Sequence, residues 1–417
     1  MQKADKLPHT MILIPVLDKQ HELSSCLIDI AGLALIRRVI LMADKVDLSH
    51  VSVVSDIEAA MFGATLAGTS TRLSGSTELD LQAYHGSILL LAPNCLPDRD
   101  FFMHLDETQV KPDEALLWED RQAILLGVKH HSALLQYLAQ ARCFEDLVNA
   151  LTESAEHTPS LKLAHEHVGI SIRSTEDCQL AEKKLLSGLV KATEGWMALH
   201  INRKVSLAVT RRLMHTRVTP NHMTWVSMAL GLIGAACFLS PAHGMQILGA
   251  LFFLAHSILD GCDGELARLK FMESRLGGIL DFWSDNMVHI AIFTAMGIGW
   301  AAASPDSFWP WPWLCAVLAV GGTAISASLV YMHTMHREKK GGPLYTSVST
   351  SKQKSAVVRI ADILSRRDFI YLVLVLALWN HTHWFLIMTA IGAPVYALLL
   401  INIMLRDRPG GVKPILG

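Results

Sequence analysis

Hydrophobic residues in the first part of the chain come in short runs, separated by polar stretches and by stretches with helical spacing. The runs that we interpret as strands lie at 11–16, 51–54, 87–92 and 123–127. Residues 33–43 carry their apolar side chains at the spacing of a helix. Strands that alternate with helices favour a mostly parallel sheet with both faces covered. This pattern predicts a soluble α/β domain of three layers over residues 1–177.

From about residue 178 onward, basic residues alternate with large apolar ones. Lys183, Lys191 and Arg211 are interleaved with residues such as Leu186 and Leu207. Such a pattern is typical of amphipathic helices that lie along a membrane surface. A soluble helical linker is the alternative. We assign residues 178–218 to juxtamembrane helices.

After Pro220 the apolar stretches become long enough to cross a bilayer. They lie near 222–239, 244–263, 278–303, 311–333, 368–381 and 384–404. The fifth stretch is short for a span. The pattern predicts an all-α membrane domain with six transmembrane helices over residues 219–417.

The distribution of Lys and Arg supports six spans. Three connections, near 240–244, 304–310 and 380–383, contain neither residue. Basic residues fill the connections near 264–277 and 334–367 and follow the last span. With six spans every basic connection falls on one side, which the positive-inside rule makes cytoplasmic. We therefore expect a multi-pass protein of the cell (inner) membrane with both termini in the cytoplasm.

Composition agrees with this division of the chain. Hydrophobic residues make up 51% of the 417 residues and charged residues 18%, which is too apolar for an ordinary soluble protein of this length. The seven cysteines form no C-x-x-C pair, so we expect neither a zinc site nor a disulfide framework. The first residues do not resemble a signal peptide. We expect no nucleic-acid partner.

Four carboxylates stand at the ends of the second and third predicted spans. Asp260 and Asp263 are three residues apart, and Asp281 and Asp285 are four residues apart, so each pair shares one helical face. Charged residues at membrane depth are costly and usually functional. Charge-paired, solvated helix ends are the alternative. Four acidic groups on two facing helices favour a site for hard divalent cations, Mg²⁺ or Mn²⁺, shared with substrate phosphates.

The spacing of these residues carries a resemblance to a known family. The segment reads D-x-x-D-G-x-x-A-R-x8-G-x3-D-x3-D from Asp260 to Asp285. It matches the motif of the CDP-alcohol phosphotransferases at every fixed position. The segment Thr219-Pro220-Asn221 and the pair Asn202-Arg203 also resemble the family. The resemblance extends over roughly residues 180–417.

The resemblance implies a reaction in which a hydroxyl attacks the phosphorus next to the alcohol of a CDP-alcohol and CMP leaves. It implies that two Mg²⁺ or Mn²⁺ ions are held by Asp260, Asp263, Asp281 and Asp285, and that Asp285 is the general base. It also implies a membrane homodimer active in phospholipid biosynthesis, with CDP-diacylglycerol as the expected donor. The residues expected to hold the nucleotide are Gly264, Ala267, Arg268, Gly277, Pro220, Asn221 and Thr224.

Basic residues are the candidates for binding the acceptor alcohol. Arg337, Arg366 and Arg367 flank the fourth and fifth predicted spans. Ordinary positive-inside charge is one interpretation. A site for a phosphorylated acceptor is the other, because arginine suits phosphate. Family members that use inositol phosphate carry basic residues in this region, so inositol phosphate or another sugar phosphate is the acceptor that we consider.

The N-terminal domain resembles the sugar-phosphate nucleotidyltransferases, and the whole chain resembles fusions of an inositol-phosphate cytidylyltransferase with such a membrane domain. The resemblance rests on residues 30–40 and 51–55. Active members carry a glycine-rich loop after the first strand, whereas residues 17–25 contain no glycine. Asn94 and Cys95 stand where a metal-binding aspartate should follow the 87–92 strand, and Asp98 and Asp100 are displaced. We interpret this domain as inactive.

Two alternatives remain at this point. In the first, the N-terminal cytidylyltransferase is active and the protein is bifunctional, making its own CDP-alcohol. In the second, the protein is an ion transporter whose carboxylates lie within the membrane. A transporter does not account for Gly264, Ala267, Arg268 and Gly277 at their fixed spacing.

Overall fold

The computed structural model divides the chain into two compact units, Met1–Ser187 and Gly188–Gly417. The residues that it describes are 10–18, 20–46, 50–57, 60–69, 71–75, 78–79, 81, 84–98, 100–105, 108, 110–156, 161–164, 167–189, 201–304, 310–337 and 369–406. We refer to the two parts as unit 1 and unit 2.

Unit 1 contains both strands and helices. The strands are β1 Thr10–Pro15, β2 Asp29–Ile30, β3 Leu33–Ala34, β4 Val51–Val54, β5 Arg72–Ser74, β6 Ser87–Leu91, β7 Cys95–Pro97, β8 Ala115–Trp118, β9 Ala123–Leu126, β10 Leu161–Ala164 and β11 Gly169–Ser171. The helices are α1 His21–Cys26, α2 Leu35–Lys45, α3 Ala60–Leu66, α4 Phe101–Leu105, α5 His131–Leu138, α6 Phe144–Glu156 and α7 Thr175–Ser187. A 3-10 helix covers Val128–His130.

The main sheet of unit 1 has the strand order β10-β8-β9-β6-β1-β4-β5 in the described part of the chain. Strand β9 runs antiparallel to both of its neighbours, and the other pairs are parallel. The central strands are apolar on both faces, and Ile12, Leu13, Leu89 and Leu90 are fully buried. Buried parallel strands read as continuous apolar runs. The predicted strands and the α/β class are thus confirmed, and the three-layer arrangement stays a prediction.

Helix α7 packs within unit 1 through polar contacts. Glu182 accepts a hydrogen bond from the backbone N–H of Ala31 (3.1 Å), and Lys184 Nζ lies 2.5 Å from Asp98 Oδ1. Arg38 donates to the carbonyls of Ile30 and Ala31 at the same turn. Burial lowers the pKa of Arg38 to about 10, and the nearby carboxylates of Asp29 and Glu182 oppose that shift. The predicted domain boundaries at residues 177 and 218 stay a prediction.

Unit 2 is helical in its described residues. Its helices are α8 Arg203–Leu213, α9 Pro220–Phe238, α10 His243–Leu269, α11 Arg275–Ala303, α12 Trp311–Arg337, α13 Phe369–Leu378 and α14 Thr382–Arg406. Among the described residues, four helices are long and apolar enough to cross a membrane: His243–Leu269, Arg275–Ala303, Trp311–His333 and Thr382–Leu405. By this measure the chain is a multi-pass membrane protein.

The two remaining predicted spans correspond to helices that do not meet the same measure. Helix α9 has 19 residues but begins with polar ones, and α13 is an apolar helix of only 10 residues. A helix needs about 20 apolar residues to cross the hydrocarbon core. The six-span topology and the cytoplasmic position of both termini therefore stay predictions.

Close packing holds α9 between α10 and α11. A Cβ atom added to Gly231 of α9 would lie 2.4 Å from Val288 Cγ1 of α11, and one added to Gly234 would lie 3.1 Å from the carbonyl oxygen of Gly249 in α10. Small residues let membrane helices approach at the backbone. Helix α9 consequently brings the ends of α10 and α11 that carry the acidic residues into a common neighbourhood.

Candidate active site

The four aspartates lie on two helices that both pack against α9. Asp260 and Asp263 belong to α10 and are 3% and 5% exposed, respectively. Asp281 and Asp285 belong to α11, and the side chain of Asp285 is 25% exposed. Burying an ionised carboxylate is costly unless it gains partners. The contacts of these groups therefore indicate how the site is organised.

Thr224 of α9 fixes the position of Asp263. Its hydroxyl donates to Asp263 Oδ2 at 2.6 Å and also lies 3.3 Å from the carbonyl oxygen of Pro220. Pro220 is the first residue of α9, whose N-cap is the hydroxyl of Thr219. Proline at this position costs no hydrogen bond, because the first N–H groups of a helix have no internal partner. The Thr219–Thr224 segment thus starts α9 and holds one carboxylate of α10.

Two histidines that the sequence analysis did not single out for the site lie beside the carboxylate of Asp285. His256 Nε2 of α10 lies 3.3 Å from Asp285 Oδ1. His289 Nδ1 lies 3.7 Å from the same oxygen and contacts the backbone carbonyl oxygen of Asp285 more closely, at 2.8 Å. The other ring nitrogen of His256, Nδ1, lies 3.0 Å from the carbonyl oxygen of Ser227 in α9. Because a carbonyl can only accept, this contact assigns a hydrogen to Nδ1. His256 is 1% exposed and connects all three helices at Asp285.

The predicted nucleotide-binding residues lie beside this carboxylate group. A Cβ atom on Gly264 would be 3.4 Å from Arg268 Nη1, so the guanidinium lies along the glycine. A Cβ atom on Gly277 would be 2.9 Å from Ser274 Oγ and 3.3 Å from Asn221 Oδ1. Ser274 is the N-cap of α11 and accepts from the Gly277 N–H. The starts of α9 and α11 are therefore adjacent, and Ala267 is half-buried one turn beyond Asp263 on α10.

The donor atoms of the aspartate group suit a hard divalent cation. Mg²⁺ and Mn²⁺ prefer carboxylate and phosphate oxygens, and all four of these side chains supply carboxylates. Within the described residues, no group of three or more His, Cys, Asp or Glu side chains stands in an arrangement that could hold a metal ion. The residues that could contribute ligands are Asp260, Asp263, Asp281 and Asp285.

The predicted acceptor residues fall largely outside the described residues. Arg366 and Arg367 are outside the described residues. Arg337 is the last residue of α12, and only its backbone is described. Their role stays a prediction.

Two further buried charged residues escaped the sequence analysis. Glu265 lies within the motif, at a position that the motif leaves variable, and it is fully buried. Lys270, at the end of α10, donates to the carbonyls of Leu213, Thr216 and Val218. His289 could have been found, since it follows Asp285 by four residues and so shares its helical face. The contacts of Glu265 and Lys270 are long-range, and no local spacing reveals them.

Comparisons with known proteins agree with the motif. Residues 217–391 match the family model described as CDP-alcohol phosphatidyltransferase. Relatives named "Bifunctional IPC transferase and DIPP synthase" include one from Thermococcus kodakarensis, 39% identical over 118 residues, and one from Aquifex aeolicus, 31% identical over 162 residues. These matches cover 28% and 38% of this chain. They span only 26% and 35% of the relatives' own lengths.

Solved structures add a weaker similarity. A phosphatidylinositol phosphate synthase of Mycobacterium tuberculosis with CDP-DAG bound is 15% identical, with a TM-score of 0.35, over 51% of this chain and 100% of that chain. The same synthase in complex with manganese and citrate gives a TM-score of 0.32 at 16% identity, over 52% of this chain and 93% of that chain. Similarity at this level does not by itself establish a common fold.

The family match covers α9 to α13 and part of α14, and it includes every position of the acidic motif. The chain therefore carries, between residues 217 and 391, a domain of the CDP-alcohol phosphatidyltransferase family.

Proposed function

We propose that the protein is a CDP-alcohol phosphotransferase that joins a polar alcohol to the phosphoryl group of a CDP-alcohol and releases CMP. The observation that carries this proposal is the arrangement around Asp285. The candidate base is partly exposed, contacts His256 and His289, and lies on the helix that packs beside the Asp263–Thr224 pair. A base must be able to reach the acceptor hydroxyl, and partial exposure leaves it accessible.

The reaction forms one bond and breaks one. The acceptor oxygen bonds to the phosphorus next to the alcohol, and the bond from that phosphorus to the bridging oxygen of the diphosphate breaks. CMP leaves with the bridging oxygen, and the proton of the acceptor hydroxyl passes to Asp285. A divalent cation would neutralise the negative charge that develops on the phosphoryl oxygens.

We infer that Asp260, Asp263, Asp281 and Asp285 hold two Mg²⁺ or Mn²⁺ ions together with the diphosphate. On this proposal, oxygens of the diphosphate complete the coordination of the ions. The cytidine nucleotide would bind beside Gly264 and Gly277, and Arg268, whose guanidinium lies along Gly264, would contribute positive charge. Thr224 has a role other than binding the nucleotide, because its hydroxyl orients Asp263.

The substrates are proposed at the level of class. CDP-diacylglycerol suits a site at the ends of membrane helices, since its lipid part can stay in the bilayer. A phosphorylated acceptor, inositol phosphate or another sugar phosphate, is proposed from Arg337, Arg366 and Arg367 and from the names of the relatives. We also propose a homodimer in the inner membrane with both termini in the cytoplasm, where nucleotide is available.

The test is CMP release by purified full-length protein. CDP-diacylglycerol would be paired with a panel of acceptors that includes inositol, inositol phosphate and other sugar phosphates, with Mg²⁺, with Mn²⁺ and after chelation. The expected result is metal-dependent CMP release with one acceptor class and a lipid product of matching mass. An absence of CMP release with every acceptor and both metals would refute the proposal.

We further propose that unit 1 has no cytidylyltransferase activity. A carboxylate of α1 binds the backbone N–H groups of the loop after β1. Glu22 Oε2 accepts hydrogen bonds from the N–H groups of Leu17 (2.8 Å) and Asp18 (3.1 Å). Glu22 Oε1 accepts from the N–H of Phe144 at 2.5 Å. Backbone N–H groups of this kind would be needed to bind nucleotide phosphates. In unit 1 they are engaged by a side chain of the same chain.

The displaced acidic residue near the 87–92 strand is also engaged. Asp98 pairs with Lys184 of α7 at 2.5 Å, which neutralises the carboxylate that could otherwise bind a metal ion. The names of the relatives favour a second candidate function, in which the protein is bifunctional. Incubation of the full chain with CTP and inositol phosphate distinguishes the two. Pyrophosphate release would support the bifunctional alternative, and its absence in a preparation that releases CMP from CDP-diacylglycerol would support an inactive unit 1.

A further inference from the structure

Glu265 is a fifth carboxylate within the motif segment, and its contacts differ from those of the four aspartates. It is fully buried, two residues after Asp263 on α10. All three of its described partners belong to α8: Arg203 Nη1 lies 2.5 Å from Oε1, Ser206 Oγ 2.7 Å from Oε1, and Thr210 Oγ1 2.6 Å from Oε2. A buried carboxylate is stable only with such a complete set of donors.

The direction of the side chain excludes Glu265 from the aspartate group. Successive residues of a helix are rotated by about 100°, so Glu265 points about 200° away from Asp263. The neighbouring residue Cys262 also faces α8, because its Sγ lies 3.5 Å from the carbonyl oxygen of Ser206. Helix α10 therefore has two polar faces. The front face carries Asp260 and Asp263, and the back face carries Glu265.

Arg203 lies along the back face of α10. A Cβ atom on Gly261 would lie 3.6 Å from Arg203 Nη1, and Gly261 precedes Glu265 by four residues, so the two positions share one helical face. A second contact fixes the start of α8, since the Tyr371 hydroxyl of α13 donates to Asn202 Oδ1. Helix α8 is thus bound on its buried side to α10, whereas Val205 is 45% exposed.

We propose that Glu265 is a positioning residue, which binds α8 to the back of α10 and so sets the orientation of the front face toward the CDP-alcohol. This proposal rests on the proposed function. Glu265 would not touch the substrate. It would act through Arg203, Ser206 and Thr210, which keep α10 in the rotation that presents Asp260, Asp263 and Gly264 together.

A positioning role and a purely structural role predict different kinetics. A variant that only unfolds more easily has fewer active molecules, so its kcat per total protein falls while KM stays constant. A variant whose front face is misoriented binds the CDP-alcohol more weakly in every molecule. Its KM for CDP-diacylglycerol rises, and its KM for the acceptor stays the same because the acceptor does not bind to α10 on this proposal.

The experiment compares Glu265→Gln and Arg203→Met with the conservative variant Arg203→Lys and with the control Glu273→Gln. Glu273 is exposed and lies in the connection after α10. We expect Glu265→Gln and Arg203→Met to raise the KM for CDP-diacylglycerol by about tenfold or more, because each leaves a buried partner without its opposite charge. Arg203→Lys should stay within about threefold of wild type, since the ammonium keeps the charge opposite Glu265. The control should not change either KM.

A second measurement does not depend on activity. Hydrogen exchange of the α8 amides, residues 203–213, should become faster in Glu265→Gln, while α12 keeps its protection. If Glu265→Gln fails to fold, Thr210→Val replaces it, because this change removes one hydroxyl from the same carboxylate. It should shift both measurements in the same direction to a smaller extent.

Unchanged exchange in α8, or a fall in kcat at constant KM for both substrates, would overturn the proposal. A wild-type protein that releases no CMP would instead refute the proposed function, and the exchange measurement would still decide whether Glu265 binds α8.

Discussion

Glu22 of unit 1 and Asp285 of unit 2 are both partly buried carboxylates, but they have different partners. The described partners of Glu22 are backbone N–H groups of its own unit. Those of Asp285 are the rings of His256 and His289. Backbone donors are fixed by the fold, whereas a histidine can donate, accept or carry a proton.

The two units therefore differ in whether their polar groups are available to a substrate. In unit 1 the groups that would bind a nucleotide are engaged within the chain, by Glu22 and by the Asp98–Lys184 pair. In unit 2, Asp263 and Asp285 contact Thr224 and His256 of neighbouring helices, and the side chain of Asp285 keeps a quarter of its surface exposed. A carboxylate with this environment can exchange partners with a substrate, and one that closes a loop cannot do so without loss of stability.

The largest expected effect is that of Asp285→Asn. The amide keeps the shape of the side chain and cannot accept the acceptor's proton, so we expect CMP release to fall by about a thousandfold. Initial rates at saturating CDP-diacylglycerol measure this loss. The control is Asp100→Asn in unit 1, which is exposed and should leave the rate unchanged. Equal rates for Asp285→Asn and wild type would remove Asp285 from the role of base.

His256→Phe should have the next largest effect. The phenyl ring can keep the stacking on Phe253, whose ring centroid lies 6.2 Å from that of His256, but it loses the contact with Asp285. We expect kcat to fall about ten- to a hundredfold, as for the loss of a group that orients a catalytic base. The KM for CDP-diacylglycerol should change little. A rate equal to that of wild type would mean that Asp285 is oriented without His256.

The two units also differ in how far their structures could be foreseen. The strands of unit 1 and the long helices of unit 2 follow from apolar periodicity, since burial on one or both faces imposes that pattern. The shared face of Asp260 and Asp263 follows from spacing alone. Strand order, such as β9 between β6 and β8, depends on pairing between distant segments and has no local signal.

The sequence predicted the acidic residues of the candidate site but not the side chains that contact them. His256 and Glu265 lie on α10 at positions where the motif fixes no residue, and their contacts are with Ser227 of α9 and Arg203 of α8. Such contacts depend on how helices pack, which spacing along one helix cannot specify. Thr224 was assigned to the nucleotide by resemblance, and its hydroxyl contacts Asp263.

A smaller effect, on stability, is expected where α9 packs against α11. Gly231→Ala would place a methyl group 2.4 Å from Val288 Cγ1, which forces the helices that carry Asp285 and Ser227 apart. Overpacking of this kind costs about 1–3 kcal/mol. Thermal unfolding in detergent, followed by helical circular dichroism, measures the cost. Gly244→Ala is the matched control, since nothing lies within 4 Å of the added atom there. If both variants unfold at the wild-type temperature, the close packing of α9 is not needed for stability.

The smallest effect on catalysis is expected from Glu22→Gln, which tests the other side of the comparison. The amide nitrogen must face a backbone N–H at one of the two positions where Glu22 now accepts, so unit 1 should lose about 1–3 kcal/mol of stability. Hydrogen exchange of the β1 and β6 amides measures this loss, and Glu145→Gln on the exposed side of α6 provides the control. CMP release should stay at the wild-type rate, because the carboxylate closes a loop of unit 1. A variant that kept full protection in β1 and began to turn over CTP would show instead that Glu22 obstructs a working nucleotide site, and the contrast between the two units would then be one of regulation.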